Sequence, residues 1–281
     1  MATYGEYTTL TDLRASSAGQ IDTTKLTDDK LLLAQIRTVS REMDELSRRW
    51  YFPLIDTREY DTPASVLGDL KLDADLLEIT TLTNGDGATI ASTKYKLYPL
   101  NYSPKFSIRP LLSQGTPWQL STYGDRSGAL SLLGVWGYHR DYSNAWASLT
   151  TLAAAITTTT ATSTTVPTGL AEAGQLIKVD SEYLYVSYVS IGATNDTLTL
   201  VRGVNGSTAA THLIAAPVSV WKVSDELANL CKMAAAAYYK LRANPLGDTV
   251  VINNVTVSTP KDVKDYIYLA MQNLGLLRVT L

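Results

Sequence analysis

Apolar residues recur along this chain with two different periods, and the order in which the periods alternate limits the folds open to it. Leu32, Ile36, Val39, Met43, Leu46 and Trp50 follow one another at spacings of four and three. That places them on one stripe of an amphipathic helix over 27–50. Thr27 is the expected N-cap, with Asp28 and Asp29 at the positive end of the helix dipole. The opposite face carries Arg37, Arg41, Glu42, Glu45, Arg48 and Arg49, and Pro53 stops the pattern. Helical spacing returns twice. Ser224 opens a second helix with the stripe Leu227, Leu230, Cys231, Ala234, Tyr238 and Leu241, ending before Asn244-Pro245. Thr259-Pro260 opens a third, with Val263, Tyr266, Ile267, Ala270 and Leu274 on one face and Gly275 as its stop.

Between the helical segments the period falls to two. Strands are expected at 57–61, 69–72, 76–82, 94–98, 105–109 and 129–136, separated by turn signals such as Asn84-Gly85-Asp86-Gly87. A second, threonine-rich and charge-poor stretch is expected to form strands at 162–166, 175–179, 183–190, 196–201 and 217–222. Residues 249–258 read as a hairpin turning at Asn253-Asn254, and residues 1–25 as an arm or loosely held segment. The fold class expected from these patterns is α+β: a helical core of three main helices with a β-hairpin region and an inserted all-β domain. The expected domains are a discontinuous one, 1–149 with 224–281, and the insert, 150–223.

The chemistry-bearing residues are sparse. The single cysteine, Cys231, excludes an internal disulfide framework and lies in an alanine-rich helix, where it reads as a small core residue. His139 and His212 fall in different modules, without metal-ligand spacing, and His212 is expected in an exposed or locally bonded turn. Asp73, Asp75 and Glu78 lack the glycine and closing glutamate of a calcium loop and read as a solvated turn. Gly134-Val135-Trp136-Gly137 lacks the lysine of a phosphate loop. Asp180 and Glu182 share a side of a strand only if no bulge intervenes. No catalytic residue, metal or cofactor is therefore expected. The formal net charge of −3 argues against whole-chain attraction to nucleic acid, and no apolar run is long enough for a membrane span. Seventeen tyrosines and five tryptophans against two phenylalanines suit surfaces that are apolar yet hydrogen-bonding.

A succession of segments then carries a resemblance. Arg48-Arg49-Trp50-Tyr51-Phe52-Pro53 is followed by Thr57-Arg58-Glu59-Tyr60-Asp61 and by Asp75-Leu76-Leu77-Glu78-Ile79-Thr80-Thr81-Leu82. Tyr95-Lys96-Leu97-Tyr98-Pro99-Leu100-Asn101 and Gly134-Val135-Trp136-Gly137-Tyr138 complete the order. This order resembles the head–tail connector adaptors of tailed bacteriophages, over about 27–145 and 224–281. The segments 177–186 and 198–212 resemble a small β module recurrent in virion proteins, which shorter adaptors lack. The resemblance implies a structural protein of the virion neck, assembled in the bacterial cytoplasm. It implies a ring of about twelve copies docked under the portal, joining the DNA-filled head to downstream head-completion, tail or fibre proteins. Genomic DNA would pass through without sequence-specific binding. The candidate subunit or portal interface is Arg37, Arg41, Arg48 and Arg49 with the tail residues Leu276, Leu277, Arg278, Val279 and Leu281. The alternatives are a virion binding module, whose β insert contacts glycan, capsid or tail fibre, and a virion hydrolase.

Overall fold

The computed structural model describes residues 4–16, 21, 26–243, 250–252, 255–257 and 260–278. It divides into two compact units, one formed by 1–49 with 146–281 and the other by 50–145.

The 50–145 unit is a five-stranded antiparallel sheet. Its strands are β1 (Leu54–Tyr60), β2 (Leu70–Thr83), β3 (Tyr95–Tyr98), β4 (Lys105–Pro110) and β5 (Leu130–Trp136), in the order β1-β5-β2-β4-β3. Alternate residues of these strands, Leu70, Leu76, Leu82, Ile108, Leu130, Leu132 and Trp136, build one core with Trp118 from the connection between β4 and β5. The runs expected as two strands at 69–72 and 76–82 are one long strand. Register shifts along β2 let its first part pair with β4 and its second with β5. Asp73, Asp75 and Glu78 therefore lie within a strand, not in a turn. Asp73 accepts bonds from Arg58 at 3.1 Å and Tyr60 at 2.5 Å, and Tyr142 donates to Glu78 at 2.9 Å. Gly134 lies in the middle of the sheet, where a Cβ would come within 2.5 Å of the Glu78 carbonyl oxygen.

The other unit combines a six-stranded sheet with the helices. The strands are β6 (Trp146–Thr151), β7 (Ser163–Pro167), β8 (Leu176–Val179), β9 (Glu182–Ser190), β10 (Asn195–Val201) and β11 (Pro217–Trp221), in the order β6-β11-β8-β9-β10-β7. Beyond the end of β6, the Ala153 amide donates to the Thr165 carbonyl at 2.9 Å, so the first and last strands of the order approach and the sheet curls around its core. That core is Leu152, Ile156, Val166, Ile177, Val179, Leu184, Val186, Leu198, Leu200 and Val218. The outer side bears aromatic packing: Trp146 lies tilted against Tyr183 and edge-on to Trp221, at centroid distances of 5.3 and 5.1 Å.

The α-helices of this unit among the described residues are α1 (Leu10–Ser16), α2 (Asp29–Ser47), α3 (Asp225–Ala243) and α4 (Pro260–Asn273). A short hairpin, β12 (Val250–Ile252) with β13 (Val255–Val257), precedes α4. Ser224 accepts the Leu227 amide at 3.4 Å and caps α3. Gly275, at φ 65°, ends α4, and the Leu276 amide returns to the Met271 carbonyl at 2.9 Å. Thr27 does not cap α2 as expected. Residues 26–28 form a 3-10 turn instead, and Asp28 holds the cap position without a side-chain bond to the helix amides, its carboxylate accepting the Tyr239 hydroxyl at 2.7 Å.

The expected fold class is overturned. The chain is mostly β, two antiparallel sheets of five and six strands with about 26% helix, rather than a helical core decorated with strands. The physical reason is that each sheet closes an apolar core of its own, whereas an amphipathic helix contributes a single stripe. Periodicity reveals both stripe and alternation but not how much surface each buries. Among the described residues no helix is long and apolar enough to cross a membrane.

Candidate functional site

The densest grouping of acid and base side chains lies at the ends of β8, β9 and β10. Val179 and Glu182 pair across the tight turn that joins β8 to β9, and Asp180 takes φ 52° within it. Glu182 opens β9 with its side chain fully buried. Arg202 follows β10 and reaches back along Glu182, donating from Nε to Oε1 at 2.6 Å and from Nη2 to Oε2 at 2.7 Å. Its remaining N–H groups go to the carbonyls of Thr158, Ala161 and Ala210. Glu182 also accepts the Gly203 amide at 3.0 Å and the Ala210 amide at 2.9 Å. His212, buried at 3% exposure, sits 2.8 Å from Glu182 through Nε2 and 2.8 Å from Asp180 through Nδ1.

Burial alone would raise the Glu182 pKa, but the Arg202 guanidinium, the two amides and His212 outweigh it and hold the carboxyl down at about 2. The Glu182–Arg202 pair and the His212 ring are therefore closed off from solvent, while the Asp180 side chain stays 60% exposed. All five Arg202 N–H bonds are used inside the chain, and both Glu182 oxygens and both His212 nitrogens face fixed partners. A catalytic acid or base needs a face open to substrate; here the cluster ties the 203–212 loop to the β8–β9 turn. His212, expected to be exposed or locally bonded, is buried between carboxylates 30 and 32 residues away. Residue types near in sequence could not show this, because β9, β10 and the loop must fold first.

A second polar array joins the helices to the sheet within the same unit. The segment 4–9, expected to be loosely held, is a strap bonded on both sides. The Tyr4 amide donates to Asn205 Oδ1 at 2.8 Å, and the Glu6 amide to the Gly174 carbonyl at 2.9 Å. On the helix side, Arg37 donates to Glu6 at 3.0 Å and to the Tyr185 hydroxyl at 2.7 Å, while Arg41 donates to the Gly5 carbonyl at 2.7 Å. Tyr7 is buried, its amide donating to Ser40 at 3.1 Å and its hydroxyl to Asp44. Desolvation raises Glu6 above its ordinary range and pushes Asp44 up to about 6, against the pull of Arg37 on the first and Arg41 on the second.

The residues proposed for a subunit interface divide as follows. Arg37 and Arg41 make these bonds within their own chain. Arg48 is exposed and ends α2 in the left-handed conformation at φ 54°, and Arg49 is half-buried beside it. Leu276 is buried at 3% exposure against its own chain, and the Arg278 amide donates to the Ser47 carbonyl at 3.0 Å. Leu277 is half-buried, and Val279 and Leu281 lie outside the described residues. The near end of the tail thus folds back on α2. Cys231 is fully buried 3.6 Å from Ser40, and burial pushes its thiol up to about 12, which leaves it inert at neutral pH. His139 stays in a loop of the 50–145 unit, accepting the Asp141 amide at 3.1 Å.

What faces outward is different in kind. In the 50–145 unit, Lys105 donates to the carbonyls of Pro99, Leu100 and Tyr102 at 2.6, 3.2 and 2.7 Å. Those three bonds cinch the 99–102 loop, which leaves Leu100 and Tyr102 56% and 63% exposed, with Phe106 on β4 at 45%. In the other unit, an open groove of about 770 Å³ between α3 and α4 is lined by Leu230, Met233, Leu269 and Leu274 and edged by Asp262 and Asp265.

Comparisons with known proteins gave no match to a family model, a curated protein or a solved structure.

Proposed function

We propose that this chain is a structural protein of a phage virion, a head-to-tail adaptor. In this reading, copies assemble as a ring under the portal, join the DNA-filled head to the tail, and let DNA pass. The observation that carries the proposal is the loop fastened by Lys105. A fixed loop that holds a leucine and a tyrosine in water, beside an exposed phenylalanine, is suited to be covered by another protein. Residues 99–101 of the loop belong to one of the five segments whose order resembles the connector adaptors, and Tyr102, Lys105 and Phe106 follow directly after it. The inward-locked charges of Glu182, Arg202 and His212 support a structural role over a hydrolytic one.

The test is native mass spectrometry of the full chain, alone and mixed with the portal protein of the same phage. A closed oligomer, or a portal-bound one, is expected from the wild type, with Leu100→Asp and Tyr102→Asp variants folded yet unassembled. A wild-type chain that stays monomeric at micromolar concentration, with and without portal, would sink the adaptor reading.

A further inference from the structure

The outer face of β7, β10 and β9 carries a lattice of hydroxyls. Thr197 pairs with Thr165 on one side and Ser190 on the other; two residues on, Thr199 pairs with Ser163 and Tyr188. Paired residues share a face, so these six side chains form two rows of three. The rows repeat at about 4.8 Å across the strands and about 6.7 Å along them. Their alternates Thr164, Val166, Asp196, Leu198 and Leu200 point the other way and are buried. Five of the six are exposed and Thr165 is half-buried; Tyr188 is 61% exposed. Among the described residues none of the six hydroxyls has a hydrogen-bond partner, whereas the neighbouring Ser187 and Thr168 hydroxyls both do. The surroundings are free of charge: no Asp, Glu, Lys, Arg or His occurs in 150–171 or 183–195, and Asp196 is buried, holding the Gly169 and Gly192 amides at 2.8 and 3.0 Å.

We propose that this face binds a neutral polysaccharide. The choice follows by elimination of the other partners. Nucleic acid or an acidic glycan would call for Lys or Arg, and the face has neither. An apolar protein surface would strand six hydroxyls without partners, and serine and threonine contribute little at protein hot spots. A sugar chain presents hydroxyls that both donate and accept, matching groups of the same kind at fixed spacing. Its C–H faces can lie against the Tyr188 ring, whose body is apolar and whose tip is polar. The sheet supplies the rigidity, so little ordering is lost on binding.

The experiment is affinity electrophoresis of the full chain in native gels cast with dextran, laminarin or hydroxyethylcellulose, beside gels cast with alginate or heparin. Retardation is expected in at least one neutral gel and in neither acidic one. Tyr188→Ala should weaken it roughly tenfold or more, a loss of about 1.4 kcal/mol. Tyr188→Phe should keep most of it, and Thr197→Val with Thr199→Val should weaken it while the circular dichroism spectrum is unchanged. The proposal falls if no neutral gel retards the protein, if only the acidic gels do, or if Tyr188→Ala is retarded as strongly as the wild type. A concentration-dependent dimer broken by Tyr188→Ala would assign the face to a second copy and overturn it as well. None of these outcomes bears on ring assembly, which the mass measurement tests separately.

Discussion

Replacing Arg202 by methionine isolates the charged centre of the six-stranded unit. Methionine fills much of the arginine stem's volume but supplies none of its five donors. Glu182, fully buried, would keep His212 and two backbone amides and lose both guanidinium bonds, while the carbonyls of Thr158, Ala161 and Ala210 each lose a partner. Breaking a buried ion pair from one side costs about 3–5 kcal/mol. The same bonds set a pH dependence. Glu182 has its pKa lowered from 4.5 to about 2, so its stabilising contribution is complete above 4.5 and is lost as pH falls toward 2. That shift corresponds to about 3 kcal/mol. Urea unfolding followed by tryptophan fluorescence, repeated from pH 7 down to 2, reads both effects, since Trp146 and Trp221 pack in this unit. Arg202→Met should unfold at much lower urea and lose the part of the acid transition assigned to Glu182. Glu182→Gln combined with Arg202→Met should be less destabilising than the sum of the single changes, because the second removes the charge that the first strands. A loss below about 1 kcal/mol for Arg202→Met, or strict additivity in the double variant, would refute the reasoning.

Three further outcomes are expected. Asp44 has its pKa raised from 3.8 to about 6, so folding favours its protonated form and stability declines as pH rises from 3.8 through 6; Asp44→Asn should flatten that decline in thermal melts. Gly134→Ala should destabilise the five-stranded sheet by about 1–3 kcal/mol, because its Cβ meets the Glu78 carbonyl, and the fluorescence of Trp118 and Trp136 should report the lower midpoint. Leu276→Ala should cost about 2–5 kcal/mol in chemical denaturation, since the side chain is buried in its own chain; an unchanged midpoint with failed assembly would return that residue to the intermolecular role first expected of it.

Much of the local structure was legible from spacing. The stripe on α2 is where the three-and-four pattern puts it from Leu32 to Met43, Ser224 caps α3, and Gly275 stops α4. These features depend on neighbours within a few residues, and local sequence is sufficient for them. Strand β6 was missed because Trp146–Thr151 is short and half-buried on both faces, which leaves little alternation to detect. Asp73 and Asp75 were misplaced into a turn because carboxylates are rare in strands; Asp73 is tolerated through Arg58 and Tyr60 of the preceding strand, which only the fold brings to it.

By itself the sequence located α2, α3, α4 and most of the strands, though not α1 or β6; it also marked Cys231 as a core residue and the 150–223 stretch as poor in charge. Only tertiary structure decided the balance between sheet and helix, because the surface buried depends on which faces meet. Only tertiary structure brought His212 and Arg202 onto Glu182 and turned 4–9 into a strap, since those contacts span 20 to 201 residues. The same holds for the hydroxyl face. Alternating threonines in β7 and β10 can be read from the chain, but a slip of one residue in register would turn one strand's hydroxyls into the core. It is the pairing of Thr197 with both Thr165 and Ser190 that makes two rows into a surface.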